Sequence, residues 1–144
     1  MRLAQTVNDV MLKFSDRPAI GERPRIFVGE DTSSRVVLDY DSTYSTITYK
    51  QLWARANIIA AELQRNDVHA LRQGEKMAFL AFTGGDYAAL DLACIRLGVT
   101  TIPLQSTSFV SELADIINET DPVILAVSPQ YLGIATTLAL GSAP

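Results

Sequence analysis

A glycine pair follows a predicted buried strand and precedes a predicted helix, an arrangement that can bind phosphate. The pair lies in the segment Phe82-Thr83-Gly84-Gly85-Asp86, and backbone N–H groups at the start of a helix can converge on an anion. The spacing matches neither the dinucleotide fingerprint nor the nucleotide loop that ends in lysine and a hydroxyl residue. Asp86 also places a negative charge where a phosphate would lie. The pattern therefore favours a tight structural turn, with Asp86 stabilising the positive end of the helix.

Three consecutive hydroxyl residues, Ser106, Thr107 and Ser108, follow another predicted strand. Open α/β sheets usually bind ligands beyond the carboxyl ends of their strands. We therefore take these three residues as candidate substrate-binding residues. The competing interpretation is that their hydroxyls cap the next helix, whose apolar stripe begins at Val110.

The other reactive side chains favour structural roles. His69 lies in a polar linker with no cysteine or second histidine near it, which disfavours a metal site. Cys94 falls on an apolar helical stripe without a neighbouring base, so we predict core packing rather than nucleophilic catalysis. Asp86 and Asp91 point about 140° apart around one helix and do not form a carboxylate pair. We predict no catalytic, cofactor-binding or metal-binding residue in the chain.

Composition limits the classes of partner. The chain has 144 residues, 48% of them hydrophobic and 19% charged, which is enough for one core and too little for two ordinary domains. The net charge of -4 and the lack of a basic run disfavour nucleic acid. We find neither a signal peptide nor an apolar run of about 18 residues, so we expect no membrane span. The single cysteine fits a reducing compartment, and we expect a cytoplasmic protein.

The first 47 residues predict a helix and a β-hairpin. Apolar residues recur at helical spacing as far as Phe14, and the helix must end before Pro18, because the residue preceding a proline is pushed out of the α region. Two β-rich runs at 25–28 and 35–38 flank the polar segment 29–34, which predicts a hairpin. A third short strand at 45–47 is expected to pair with this hairpin.

Residues 48–144 predict alternating helices and parallel strands. Thr48 and Gln51 form a capping-box pattern, so a helix should begin at Tyr49. Apolar runs at 77–81, 99–104 and 123–127 then alternate with helical stripes, and Gly98 is placed to end the second helix. The strands begin roughly 23 residues apart, which is typical of βαβ units.

Several of these segments also resemble a known family. The blocks ITYKQL at 47–52, DYAALDLACIRLG at 86–98 and PLQ at 103–105 resemble the first conserved blocks of adenylate-forming, AMP-binding enzymes. Within this family, the residues of these blocks most resemble those of the adenylation domain of carboxylic acid reductases. The resemblance implies an α/β fold in which the N-terminal helix and hairpin precede βαβαβ units, forming part of a parallel sheet of the family's large subdomain.

The resemblance also implies a chemistry for the parent protein. Such enzymes activate a carboxylate with ATP and magnesium to an acyl-adenylate and load it onto a phosphopantetheine thiol; in the reductases, NADPH then releases an aldehyde. The phosphate loop, the magnesium-binding acids, the catalytic lysine and the carrier serine of the family are not found in this sequence. We therefore expect residues 1–144 to be one partial domain, with a helix and hairpin region at 1–47 and an α/β region at 48–144.

Two functions follow from this comparison. In the first, the chain is the N-terminal fragment of an acyl-adenylate-forming enzyme, is inactive alone and has no cofactor of its own. Its partner is then the remainder of the adenylation domain, and the isolated fragment is expected to self-associate through uncovered apolar surface. In the second, it is a free-standing, non-catalytic α/β module that binds a protein partner or a small ligand.

Overall fold

The computed structural model describes residues 2–29 and 36–141, and it shows an α/β fold built around a parallel sheet. Among its described residues, the first part contains one helix and four short strands: α1 (Arg2–Lys13), β1 (Pro18–Glu22), β2 (Arg25–Gly29), β3 (Val36–Tyr40) and β4 (Ser45–Thr48). The second part alternates helices and strands: α2 (Tyr49–Arg65), β5 (Lys76–Leu80), α3 (Gly85–Leu97), β6 (Thr100–Pro103), α4 (Val110–Thr120), β7 (Ile124–Val127), a 3-10 turn (Pro129–Tyr131) and α5 (Leu132–Gly141).

The short strands form two antiparallel pairs. β2 pairs with β3, which confirms the predicted hairpin partners; Arg35 and the connection at 30–34 lie outside the described residues. The prediction that 45–47 pairs with this hairpin was wrong, because β4 pairs with β1. Proline and glycine weaken the strand signal of β1. Pro18 is nevertheless tolerated there because it is the first residue of its strand, where a missing N–H is least costly.

Local signals set the limits of two helices as predicted. Thr48 Oγ1 accepts a hydrogen bond from Gln51 N–H at 3.2 Å, and the Gln51 side chain accepts one from Thr48 N–H at 2.8 Å. This capping box begins α2 at Tyr49. Gly98 ends α3 in the left-handed conformation, with φ of 70°.

The parallel sheet has the strand order β6-β5-β7, with β5 in the centre. Side chains alternate along β5, so Met77 and Phe79 lie in the apolar core beneath α2 and α3. Ala78 and Leu80 lie in a second core beneath α4 and α5. Both faces of the central strand are therefore covered by helices, as its continuous apolar sequence predicts.

Helix α1 packs on the outside of this structure, against α2. Met11 on α1 forms a small buried cluster with Trp53 and Ala56. The indole Nε1–H of Trp53 donates to Asn8 Oδ1 at 3.3 Å, so the buried ring keeps a polar partner. Across 2–29 and 36–141, the helices are too short or too polar to cross a membrane.

Candidate functional site

The carboxyl ends of the three parallel strands meet at one edge of the sheet, where an open α/β sheet usually binds its ligand. A groove of about 990 Å³ lies against the ends of β5 and β7. Its other wall comes from the antiparallel strands that precede α2. Among its lining residues are Glu22, Arg23, Tyr40, Phe82, Tyr87 and Ser128.

The predicted substrate-binding residues lie at the same edge of the sheet but outside this groove. Ser106, Thr107 and Ser108 follow β6, and Thr107 Oγ1 accepts a hydrogen bond from the Gln105 amide at 2.9 Å. The competing capping interpretation was wrong, because the N-cap residue of α4 is Phe109, one residue beyond Ser108. The Phe109 N–H donates to the Glu112 carboxylate at 3.2 Å. The structure thus leaves these hydroxyls without a capping role.

The glycine turn between β5 and α3 holds a carboxylate from the N-terminal strands. The side chain of Glu22, at the end of β1, accepts a hydrogen bond from Gly85 N–H. A Cβ atom on Gly84 would lie 2.9 Å from Glu22 Oε1, and one on Gly85 would lie 3.3 Å away. The two glycines therefore serve close approach of this carboxylate, which occupies the positive end of α3.

An ion pair lies beside the turn. Arg55 Nη2 on α2 is 3.0 Å from Asp86 Oδ1 in the first turn of α3, and both side chains are largely exposed. Solvent screening limits such a pair to less than about 1 kcal/mol. The prediction that Asp86 serves the start of the helix agrees with this position, and Arg55 additionally links the turn to α2.

These groups do not fit a nucleotide phosphate. The Gly85 N–H that would bind an anion already donates to Glu22, and the Asp86 carboxylate stands next to it. Two carboxylates at one helix start repel a third anion. We therefore place no ATP and no magnesium on this turn, and the sequence-based prediction of a structural turn agrees with the geometry.

Ser128 joins the ends of two strands, a role that its sequence position did not reveal. It precedes Pro129 and stands at the N-cap position of the 3-10 turn, yet its hydroxyl makes no capping bond. Ser128 Oγ instead accepts a hydrogen bond from Phe82 N–H at 3.3 Å, and Ser128 N–H donates to the Leu80 carbonyl at 3.1 Å. These two bonds hold together the chain segments that leave β5 and β7, where Phe82 and Ser128 line the groove.

Two further titratable side chains, Cys94 and Tyr87, belong to the apolar core or pack against it. Cys94 is fully buried, and burial, with a smaller contribution from the charge of Asp91, raises the pKa of its thiol to about 12. The same two causes, in the same order, raise the pKa of Tyr87, which packs edge-on against Phe79. His69 is exposed, and no group of three potential metal ligands occurs among the described residues.

Comparison with known proteins identifies the family. The sequence profile described as AMP-binding enzyme matches residues 28–141. The chain belongs to the AMP-binding enzyme family. It is 39% identical over 142 residues to a carboxylic acid reductase of Mycobacterium tuberculosis and 32% identical over 142 residues to one of Segniliparus rugosus. Each match covers 99% of the chain and 12% of the relative, so the chain spans about an eighth of their length.

Solved structures of AMP-binding enzymes contain the same fold as this chain. The adenylation–carrier didomain of the Segniliparus rugosus carboxylic acid reductase, solved with AMP, superposes with a TM-score of 0.88 at 32% identity, covering 99% of this chain and 20% of that one. The adenylation domain of a Mycobacterium chelonae carboxylate reductase gives 0.83 at 32% identity, covering 97% and 21%. The chain is thus homologous to the N-terminal part of these adenylation domains.

In this AMP-binding enzyme chain, Gly84 and Glu22 should show strong energetic coupling. Gly84→Ala pushes the carboxylate off Gly85 N–H and should cost about 1 kcal/mol, since the net contribution of one hydrogen bond to stability is about that size. In a Glu22→Ala background the same change should be neutral or slightly stabilising, because an extended alanine restricts the unfolded chain. Urea unfolding of the four proteins measures the difference.

Gly133→Ala is the matched control, because a Cβ there meets nothing within 4 Å. Its effect should be the same with Glu22 or Ala at position 22. Additive effects of Gly84→Ala and Glu22→Ala would contradict the proposed contact.

Proposed function

We propose that this chain is the N-terminal portion of an ATP-dependent, carboxylate-activating adenylation domain of the carboxylic acid reductase type, and that it is inactive alone. The observation that supports this proposal is the superposition of nearly the whole chain on about a fifth of a reductase didomain. The match covers 99% of this chain but only 20% of the didomain, so most of that enzyme has no counterpart in the chain.

The cofactors of the parent reaction act outside the described residues. The turn before α3 is filled by Glu22, and adenylyl transfer requires cationic groups that converge on the phosphates. ATP, magnesium and phosphopantetheine, and NADPH in a reductase, therefore belong to the remainder of the protein. The single buried cysteine supports action in the cytoplasm.

Ser106, Thr107 and Ser108 are the substrate-binding residues that we propose within the chain. They lie at the carboxyl edge of β6, and their hydroxyls are not used to cap α4. They contribute one side of the acid-binding region when the remainder of the domain is present.

The test is acid-dependent pyrophosphate exchange. The purified chain should give no exchange above blank with a panel of aliphatic and aromatic acids. A chimera in which the chain replaces the matched segment of the Segniliparus rugosus adenylation domain should form acyl-adenylate. Turnover by the chain alone, or a folded chimera without activity, would contradict the proposal.

A free-standing α/β module is the second candidate. Helices cover both faces of β5, and such a core is what an independent domain requires. If light scattering finds a monomer that binds no hydrophobic dye and unfolds cooperatively above about 65 °C, this second reading replaces the first.

A further inference from the structure

Helix α5 has an unusual composition for an outer helix. The segment Leu132–Gly141 reads LGIATTLALG and contains no charged side chain. A helix on the surface of a soluble domain normally carries charged or polar residues on its outer face, and one that is apolar all round is normally buried. The sequence of α5 is therefore that of a helix with protein on both sides.

The inner face of α5 packs against α4 and the central strand β5. Leu138 is 3% exposed and packs with Leu113 of α4 and with Leu80 of the central strand. Ile134 packs against the same core. This face accounts for the contacts that hold α5 on the sheet.

The outer face of α5 is apolar and uncovered. Leu132 and Leu140 are 57% and 72% exposed, and with Thr136 they form an i, i+4, i+8 stripe on the side away from Leu138. We call this stripe of three residues the outer face of α5. Two exposed leucines on one face of a helix without charged residues form an apolar surface patch.

The threonines of α5 do not make this surface polar. Thr136 Oγ1 donates to the Leu132 carbonyl at 2.8 Å, and Thr137 Oγ1 donates to the Gly133 carbonyl at 3.1 Å. Both hydroxyl protons are thus used within the helix, one turn back along the chain. What the helix presents outward is mainly methyl and methylene groups.

We infer that the outer face of α5 is an interface and that an uncharged, apolar surface from the remainder of the adenylation domain covers it. This inference rests on the proposed function. The superposition on the reductase didomain includes nearly all of this chain, hence α5, and about four-fifths of that didomain lies beyond the matched part. Enough polypeptide is therefore present in that relative to bury the stripe.

The test uses the complete 144-residue chain, co-expressed with the part of the Segniliparus rugosus adenylation domain that lies outside the match. Hydrogen exchange is followed in the chain alone and in the purified complex. Amides of α5 should exchange at least about tenfold more slowly in the complex, because burial removes local opening. Amides around the exposed Ile58 on α2 serve as the internal reference.

Leu132→Glu/Leu140→Glu should abolish co-purification with the remainder, and the matched control Ile58→Glu, at a residue 65% exposed, should not. If the double glutamate variant is unfolded by circular dichroism, Leu132→Ala/Leu140→Ala replaces it and should weaken the complex. A complex that forms equally well with these variants overturns the inference, as does unchanged exchange in α5 or failure of the wild-type chain to assemble.

Other occupants give distinct results. A dimer of the chain that depends on Leu132 and Leu140 and is not displaced by the remainder would show a second copy as the occupant, and would overturn the inference. A complex with protected α5 but without acid-dependent pyrophosphate exchange would contradict the proposed function and leave the interface standing.

Discussion

Phe79→Ala is expected to remove most of the stability of the described fold. Phe79 is 1% exposed at the centre of β5, and its ring meets Tyr87 edge-on with centroids 5.2 Å apart. Truncation of a buried phenylalanine leaves a cavity and typically costs about 3–5 kcal/mol. Small domains have a total stability of about 5–15 kcal/mol, so this variant should approach the unfolding threshold.

Phe82→Ala is the matched control, because it removes the same side chain two residues beyond the end of the same strand. Phe82 is 56% exposed and contacts Tyr131 at a centroid distance of 5.3 Å. Its loss should cost less than about 1 kcal/mol, the usual range for surface contacts. Chemical denaturation of both variants makes the comparison, and equal losses would contradict the assignment of Phe79 to the core.

Cys94 is expected to be nearly inert to alkylation in the folded chain. The thiolate is the reactive form, and the thiol pKa is raised from 9.0 to about 12 by burial and by the charge of Asp91. At pH 8 this shift alone lowers the thiolate fraction about a thousandfold, since each pKa unit changes it about tenfold. Iodoacetamide modification followed by mass spectrometry should therefore be slow in buffer and fast in urea.

The same thiol should make the fold sensitive to alkali. Its folded pKa lies above the unfolded value, so its contribution to stability is fully present below pH 9 and is lost as the pH rises towards about 12.

Alkylation of Cys94 should be faster in the Phe79→Ala variant than in the wild-type chain, because Cys94 and Phe79 share one apolar cluster. Rapid alkylation of the folded wild-type chain at pH 8 would show that the thiol is accessible.

Local patterns in the sequence determined much of the helix and strand arrangement. The capping box at Thr48 and Gln51 and the left-handed Gly98 each involve neighbouring residues, so their physical causes can be read without the fold. The apolar run of β5 predicted a strand buried on both faces for the same reason, because two-sided burial leaves no polar alternation. The blocks at 47–52 and 86–98 predicted the family.

Tertiary structure decided what those segments contact. The partner of the glycine turn is Glu22, 63 residues away along the chain, and no spacing rule specifies which carboxylate reaches an open N–H group. The pairing of β4 with β1, the use of the Ser128 hydroxyl by Phe82, and the distance of Ser106–Ser108 from the groove are equally non-local. Sequence patterns report the conformation of neighbouring residues, whereas a site depends on which distant segments the packed core brings together.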